Sequence, residues 1–148
     1  MKYEDLPRPT HLDAALAFAT EAHRGRKDKA GLPEILHPLK VLMALADPNE
    51  LQEQAALVHD TVEDTGATLD DVEAALGPDV RRVVDHLSRR EGEIYLDYID
   101  RLMGDPDAMA VKAADLWVNY HRSPLAENWA SLRKRYEAAA KKIGITFT

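Results

Sequence analysis

Residues 51–65 constrain this chain more than any other stretch. Leu51, Ala55, Val58 and Val62 recur at helical spacing, so they line one stripe that must face a core. Beside that stripe stand His59, Asp60, Glu63 and Asp64. His59 and Glu63 are four apart, as are Asp60 and Asp64, so each pair stacks on a neighbouring helix face. One helix can thus aim an imidazole and a carboxylate at a single point, with two further carboxylates one turn on. Imidazole plus carboxylate suits a borderline-to-hard divalent ion such as Mn, Fe, Co or Zn. The plainer reading is a polar helix face on which acids cluster.

The remaining chain reads as helices joined by short turns. Thr10 or Asp13 caps a first helix reaching about Arg24, with Leu12, Leu16 and Ala19 inward and Gly25 stopping it. Residues 25–36, with glycines around a charged run and Pro33, form a loop. His37-Pro38 opens a second helix over 38–46, and Asp47-Pro48 leads into the central one. Thr68 and Asp71 fit a capping box for a short helix ending at Gly77. Further helices are expected from Pro78 through Leu87, over 95–103, from Pro106 through Trp117, and over 126–143. The tail at 145–147 is the one candidate strand. At 148 residues and 45% hydrophobic composition, the expectation is a single all-α domain spanning 1–148.

Composition narrows the function classes. The absence of cysteine excludes disulfides, iron–sulfur clusters and thiolate zinc sites. Residues 1–10 carry acids and prolines instead of an apolar signal segment, and no apolar run approaches the ~18 residues of a membrane helix. A net charge of −7 argues against a nucleic-acid partner. These features suggest a cytoplasmic protein with no membrane partner.

Two residues outside the central stretch are candidates to complete a site. His37 starts a helix after a loop, where a side chain can reach a neighbour, although a histidine there is ordinarily a surface residue. Asp115 lies between Ala113-Ala114 and Leu116-Trp117, an acid in apolar surroundings. A buried carboxylate is costly unless paired or metal-bound, and a salt bridge to Lys112 or an arginine would also satisfy it. Two histidines and two aspartates would leave a metal open to water. Arg24, Arg26, Lys27 and Lys29 place four cations within six residues, a patch able to attract a polyphosphate despite the overall charge. A solvated loop would look the same.

The order His37, His59-Asp60, Asp115 resembles the HD-domain phosphohydrolases. Ala22-His23-Arg24-Gly25, Arg26-Lys27-Asp28, Ile35-Leu36-His37-Pro38, the run from Ala55 to Thr65, and Val111-Lys112-Ala113-Ala114-Asp115 are similar to the hydrolase domain of the RelA/SpoT alarmone enzymes and, by length, to the small alarmone hydrolases. The resemblance covers about residues 12–121. It implies a compact multi-helix HD fold in which His37, His59, Asp60 and Asp115 hold one divalent metal, usually manganese. It also implies that Glu63 and Asp64 serve the attacking water, and that Arg26, Lys27 and Asn119 bind the guanine nucleotide. The implied reaction removes the 3′-pyrophosphate of ppGpp or pppGpp, giving GDP or GTP.

Three positions depart from the family pattern: Glu34 replaces a usual tyrosine, Leu116 an arginine and Val118 a histidine. They are expected near the nucleotide. Another phosphorylated nucleotide (an adenosine alarmone, a 5′-nucleotide or NADPH) and a non-catalytic nucleotide-binding module are therefore the alternatives. Trp117, Trp129, Tyr95, Tyr98 and Tyr136 read as helix packing, with Tyr95 or Tyr98 able to reach a nucleotide. His11, His86 and His121 read as surface residues. His23 ends the first helix, where a cation suits the dipole, and is placed to back up the site.

Overall fold

The computed structural model describes residues 1–6, 9–122 and 127–147. After a short 3₁₀ turn, Tyr3–Asp5, the chain forms α1 (His11–Ala22), α2 (Leu36–Ala44), α3 (Glu50–Val58), α4 (Thr61–Asp64), α5 (Leu69–Leu76), α6 (Pro78–Leu87), α7 (Tyr95–Leu102), α8 (Pro106–Arg122) and α9 (Trp129–Ile143). There is no strand among the described residues. The tail at 145–147 is not one either: Phe147 stacks on the Tyr120 ring at 4.2 Å and 16°. The fold is all-α, as the sequence pattern predicts.

Local chemistry sets most boundaries. Thr68 caps α5 by accepting from the Asp71 amide at 3.1 Å, and the Asp71 carboxylate in turn accepts from the Thr68 amide at 2.9 Å. Asn49 and Gln52 make the same reciprocal pair at the start of α3. Gly144 ends α9 in the left-handed region at φ 88°, donating to Ala140 at 2.8 Å. The expected start of α9 at Ala126 lies outside the described residues. Thr10 precedes α1 without a side-chain cap, and α1 turns Ala15 and Ala19 inward while Leu16 is exposed.

The central helix departs from expectation. It is broken at His59-Asp60, where Asp60 leaves helical geometry at φ −108°, ψ 3°, so α3 and α4 are separate pieces. Side chains satisfy carbonyls freed at the end of α3. Thr61 Oγ1 donates to the Val58 carbonyl at 2.9 Å, and the His59 Nδ1–H donates to that of Ala56 at 2.7 Å.

α3 lies at the middle of the fold, packed by α1, α2, α6 and α8. One side of it meets Ala15, Ala19, Val72, Val80 and Val84; the other faces Val41, Val83, Ile99, Leu102, Val111 and Leu116. Ala55 and Ala56 are fully buried, small enough for neighbouring helices to approach. The break at His59-Asp60 is thereby held at the centre of the bundle.

A peripheral ion pair fastens α7 to the turn before it. Arg101 grips Glu93 through Nε–Oε2 at 2.9 Å and Nη2–Oε1 at 3.0 Å, while the Arg90 amide donates to the same carboxylate. Arg101, then that amide, holds the Glu93 carboxyl down at about 2. Its contribution is complete above the ordinary carboxylate range and disappears as pH falls through about 2. Glu93→Gln is expected to cost about 1 kcal/mol at neutral pH. Urea unfolding of parent and variant should show that difference shrinking as the solution is acidified towards pH ~2.

Candidate metal centre

Three elements deliver the central groups. α2 supplies His37 from its first turn, the α3–α4 break supplies His59 and Asp60, and the middle of α8 supplies Asp115. Ligand atoms of His37, His59 and Asp115 all lie within 4.8 Å of one another. His37 Nε2 is 2.8 Å and His59 Nε2 3.5 Å from Asp115 Oδ1. Because His59 spends Nδ1–H on the Ala56 carbonyl, Nε2 is the nitrogen turned to the centre. Asp60 lies at the edge of this group, with Oδ2 4.0 Å from His59 Nε2 and Oδ1 3.2 Å from His23 Nε2.

The electrostatics are those of opposed charges in a confined space. Burial works against ionisation of Asp115, but the Lys112 ammonium and hydrogen bonds from His37 and His59 hold its carboxyl well below the usual range. Lys112 Nζ donates to Asp115 Oδ2 at 2.9 Å, leaving Oδ1 to face the imidazoles. Burial pulls His59 down, yet Asp60 and Asp115 raise it to about 9. These groups fit a divalent ion. Two imidazoles and a carboxylate converge, and among the described residues the buried His37 Nδ1 and Asp60 Oδ1 have no hydrogen-bond partner.

The two acids expected to serve water lie on α4, one turn beyond His59-Asp60. Glu63 and Asp64 are both exposed, and the Arg89 amide donates to Glu63 Oε2 at 3.3 Å. Desolvation, then the charges of Asp60, Glu63 and Glu34, pushes the Asp64 carboxyl up to about 6. A carboxylate tuned there accepts a proton near neutral pH more readily than an ordinary one.

The expected nucleotide contacts are partly engaged within the protein. Arg26 donates through Nε to Glu34 at 3.0 Å and through Nη2 to the Asp64 carbonyl at 2.5 Å. Lys27 is exposed at the loop, where its backbone bridges to Pro33. Asn119 donates to Asp115 Oδ1 at 3.1 Å and accepts from Arg122 at 3.0 Å. Two of the three departures do not face this centre. Leu116 is fully buried in the core and Val118 is 6% exposed there, because neighbours of Asp115 on a helix project to other faces. Glu34 does border the centre. Trp117, expected to pack, is 47% exposed against His121. His23 was the least obvious participant: it is 2% exposed and sits between Glu34 and Asp60.

Comparison with known proteins gives a consistent picture. The HD domain family profile matches residues 15–102. Human guanosine-3′,5′-bis(diphosphate) 3′-pyrophosphohydrolase MESH1 is 45% identical over 80 residues, covering 50% of this chain and 45% of that protein. The guanosine-3′,5′-bis(diphosphate) 3′-pyrophosphohydrolase of Aquifex aeolicus is 32% identical over 153 residues, covering 90% of this chain and 22% of that protein. The chain therefore spans less than half the length of either relative. A solved structure of a metazoan SpoT ortholog, described as hydrolyzing ppGpp with a role in starvation responses, superposes with a TM-score of 0.70. It is 21% identical and covers 95% of this chain and 99% of that one.

Proposed function

The chain belongs to the HD-domain family, and on that premise we propose that it is a metal-dependent phosphohydrolase removing the 3′-pyrophosphate of guanosine alarmones. The observation that carries this reading is the convergence of His37, His59 and Asp115 within 4.8 Å, with Glu63 and Asp64 one turn beyond. HD-domain membership implies a divalent metal, and those three residues form a possible site for it. The reading adds Asp60 as a fourth ligand and manganese as the ion. A bound divalent ion supplies Lewis-acid polarisation and makes water more acidic. The relatives named for 3′-pyrophosphohydrolysis support ppGpp and pppGpp as substrates.

The protein's own groups then divide the work. Glu63 and Asp64 orient water and take its proton as its oxygen bonds to phosphorus and the bond from phosphorus to the 3′ oxygen breaks, the departing 3′ oxygen taking a proton to leave as the hydroxyl of GDP. The two acids are adjacent on α4, so the pair is treated as one base. Lys27 offers a point charge to phosphate, and Arg26 a planar face able to stack on the base. Asn119, beside Asp115, holds the nucleotide. The reading treats residues 1–148 as one catalytic domain working in the cytoplasm on small nucleotides. No helix of the described residues is long and apolar enough to cross a membrane.

Product analysis after incubation with Mn²⁺ and ppGpp, against a chelated control, tests the reading. GDP and pyrophosphate should appear in the metal-containing reaction alone. Glu34 motivates the second reading, because a carboxylate borders the centre where the family usually has tyrosine. If ppGpp gives no product, turnover of adenosine alarmones, 5′-nucleotides or NADPH would support that alternative.

A further inference from the structure

Glu34 joins the basic loop to both halves of the site. Its Oε1 accepts from His23 Nδ1 at 2.7 Å and from Arg26 Nε at 3.0 Å. Through His23 it reaches Asp60, whose Oδ1 is 3.2 Å from His23 Nε2; through Arg26 it reaches the Asp64 carbonyl at the end of α4. The His23 side chain is fully buried, and among the described residues neither its Nε2 nor Asp60 Oδ1 has a partner in hydrogen-bond geometry. Asp60 sits in the break between α3 and α4, where regular helix geometry does not fix its backbone. Its orientation must come from neighbours: His59 Nε2 lies 4.0 Å from Oδ2, and the buried His23 imidazole faces Oδ1 at 3.2 Å.

We propose that Glu34 and His23 are positioning residues: Glu34 sets the His23 ring, the ring orients Asp60 toward a divalent ion, and the Glu34–Arg26 pair steadies the end of α4. Groups behind a metal ligand commonly change affinity about 10–100-fold when removed. Glu34 achieves this with one oxygen shared by two donors. A tyrosine hydroxyl, on a rigid ring, would have to occupy the same point to do likewise. The proposal rests on the metal reading above, and not on which nucleotide is bound.

The test titrates Mn²⁺ into metal-stripped full-length parent, Glu34→Ala, Glu34→Gln, His23→Ala and the double alanine variant, without nucleotide. Thermal unfolding of each metal-free protein is followed alongside. Glu34→Ala and His23→Ala should each weaken Mn²⁺ binding about 10–100-fold. The double variant should lose no more than the weaker-binding single, because both act along one chain of contacts. Glu34→Gln keeps an acceptor oxygen and should recover most of the loss. Should the buried His23→Ala fail to fold, the two Glu34 variants carry the test, since Glu34 is partly exposed. Parental affinity in Glu34→Ala overturns the proposal, as does a double loss equal to the sum of the singles. If the nucleotide reading alone fails, the parent leaves ppGpp intact while the affinities still separate. If positioning alone fails, the parent hydrolyses ppGpp and the affinities coincide.

Discussion

Asp115→Ala is expected to abolish divalent binding and to lower stability by about 3–5 kcal/mol, because it strands a buried ammonium. Lys112 is 8% exposed, its Nζ 2.9 Å from Asp115 Oδ2 and 5.8 and 5.2 Å from the Tyr95 and Tyr98 ring centres. Burial works against the Lys112 charge, but Asp115 opposes burial strongly enough to hold the amine well above its usual value. Removing the carboxylate leaves two ring faces, which supply less than a full counter-charge. The two losses can be separated. Replacing both partners, as Lys112→Met with Asp115→Leu, removes the stranded charge and should recover most of the stability. It should recover no metal binding, because the oxygen shared by His37 and His59 is gone. Urea melts and Mn²⁺ titrations of the three proteins check both statements. A stable Asp115→Ala that still binds Mn²⁺ would remove Asp115 from the site.

The all-α class was legible because turn chemistry and helical periodicity agree along most of the chain. Thr68 with Asp71, Pro78 after Gly77, and Pro106 after Asp105 mark helix starts within a residue of where they occur. The convergence of His37, His59 and Asp115 was legible through the family resemblance that their order carries, since residue type alone left His37 as a surface histidine and Asp115 as a partner for Lys112. The break at His59-Asp60 was not. No glycine or proline marks it, and the apolar stripe continues through Val62, so local pattern favours an unbroken helix. The end of α3 is satisfied by side chains reaching three residues back, Thr61 to the Val58 carbonyl and His59 to that of Ala56, and neither residue type announces that role. The network around Glu34 was equally hidden, because its members come from a helix end, a loop and the α3–α4 break. Sequence could mark Glu34 as unusual and His23 as available, but not join them. Leu116 and Val118 show the converse. They differ from the family pattern beside Asp115, yet helix geometry turns both into the core.

Glu63→Gln and Asp64→Asn are each expected to lower kcat by about 10²–10⁴-fold while leaving Mn²⁺ affinity unchanged. Neither acid belongs to the cluster of His37, His59 and Asp115, so the substitutions remove proton acceptors and spare those ligands. Both replacements are close in shape. Arg26 holds the Asp64 carbonyl and not its carboxylate, so that tie survives Asp64→Asn. The Glu63 contact to the Arg89 amide needs an acceptor oxygen, which glutamine retains. Any loss of rate is therefore a loss of base strength more than of position. Two adjacent acids acting as one base give effects that do not add. The double variant should thus fall little below the slower single one, a result two independent contributions would not produce. Single-turnover rates at saturating Mn²⁺, with metal affinity measured in parallel, distinguish these cases. Unchanged rates in both single variants would remove the proposed role of Glu63 and Asp64.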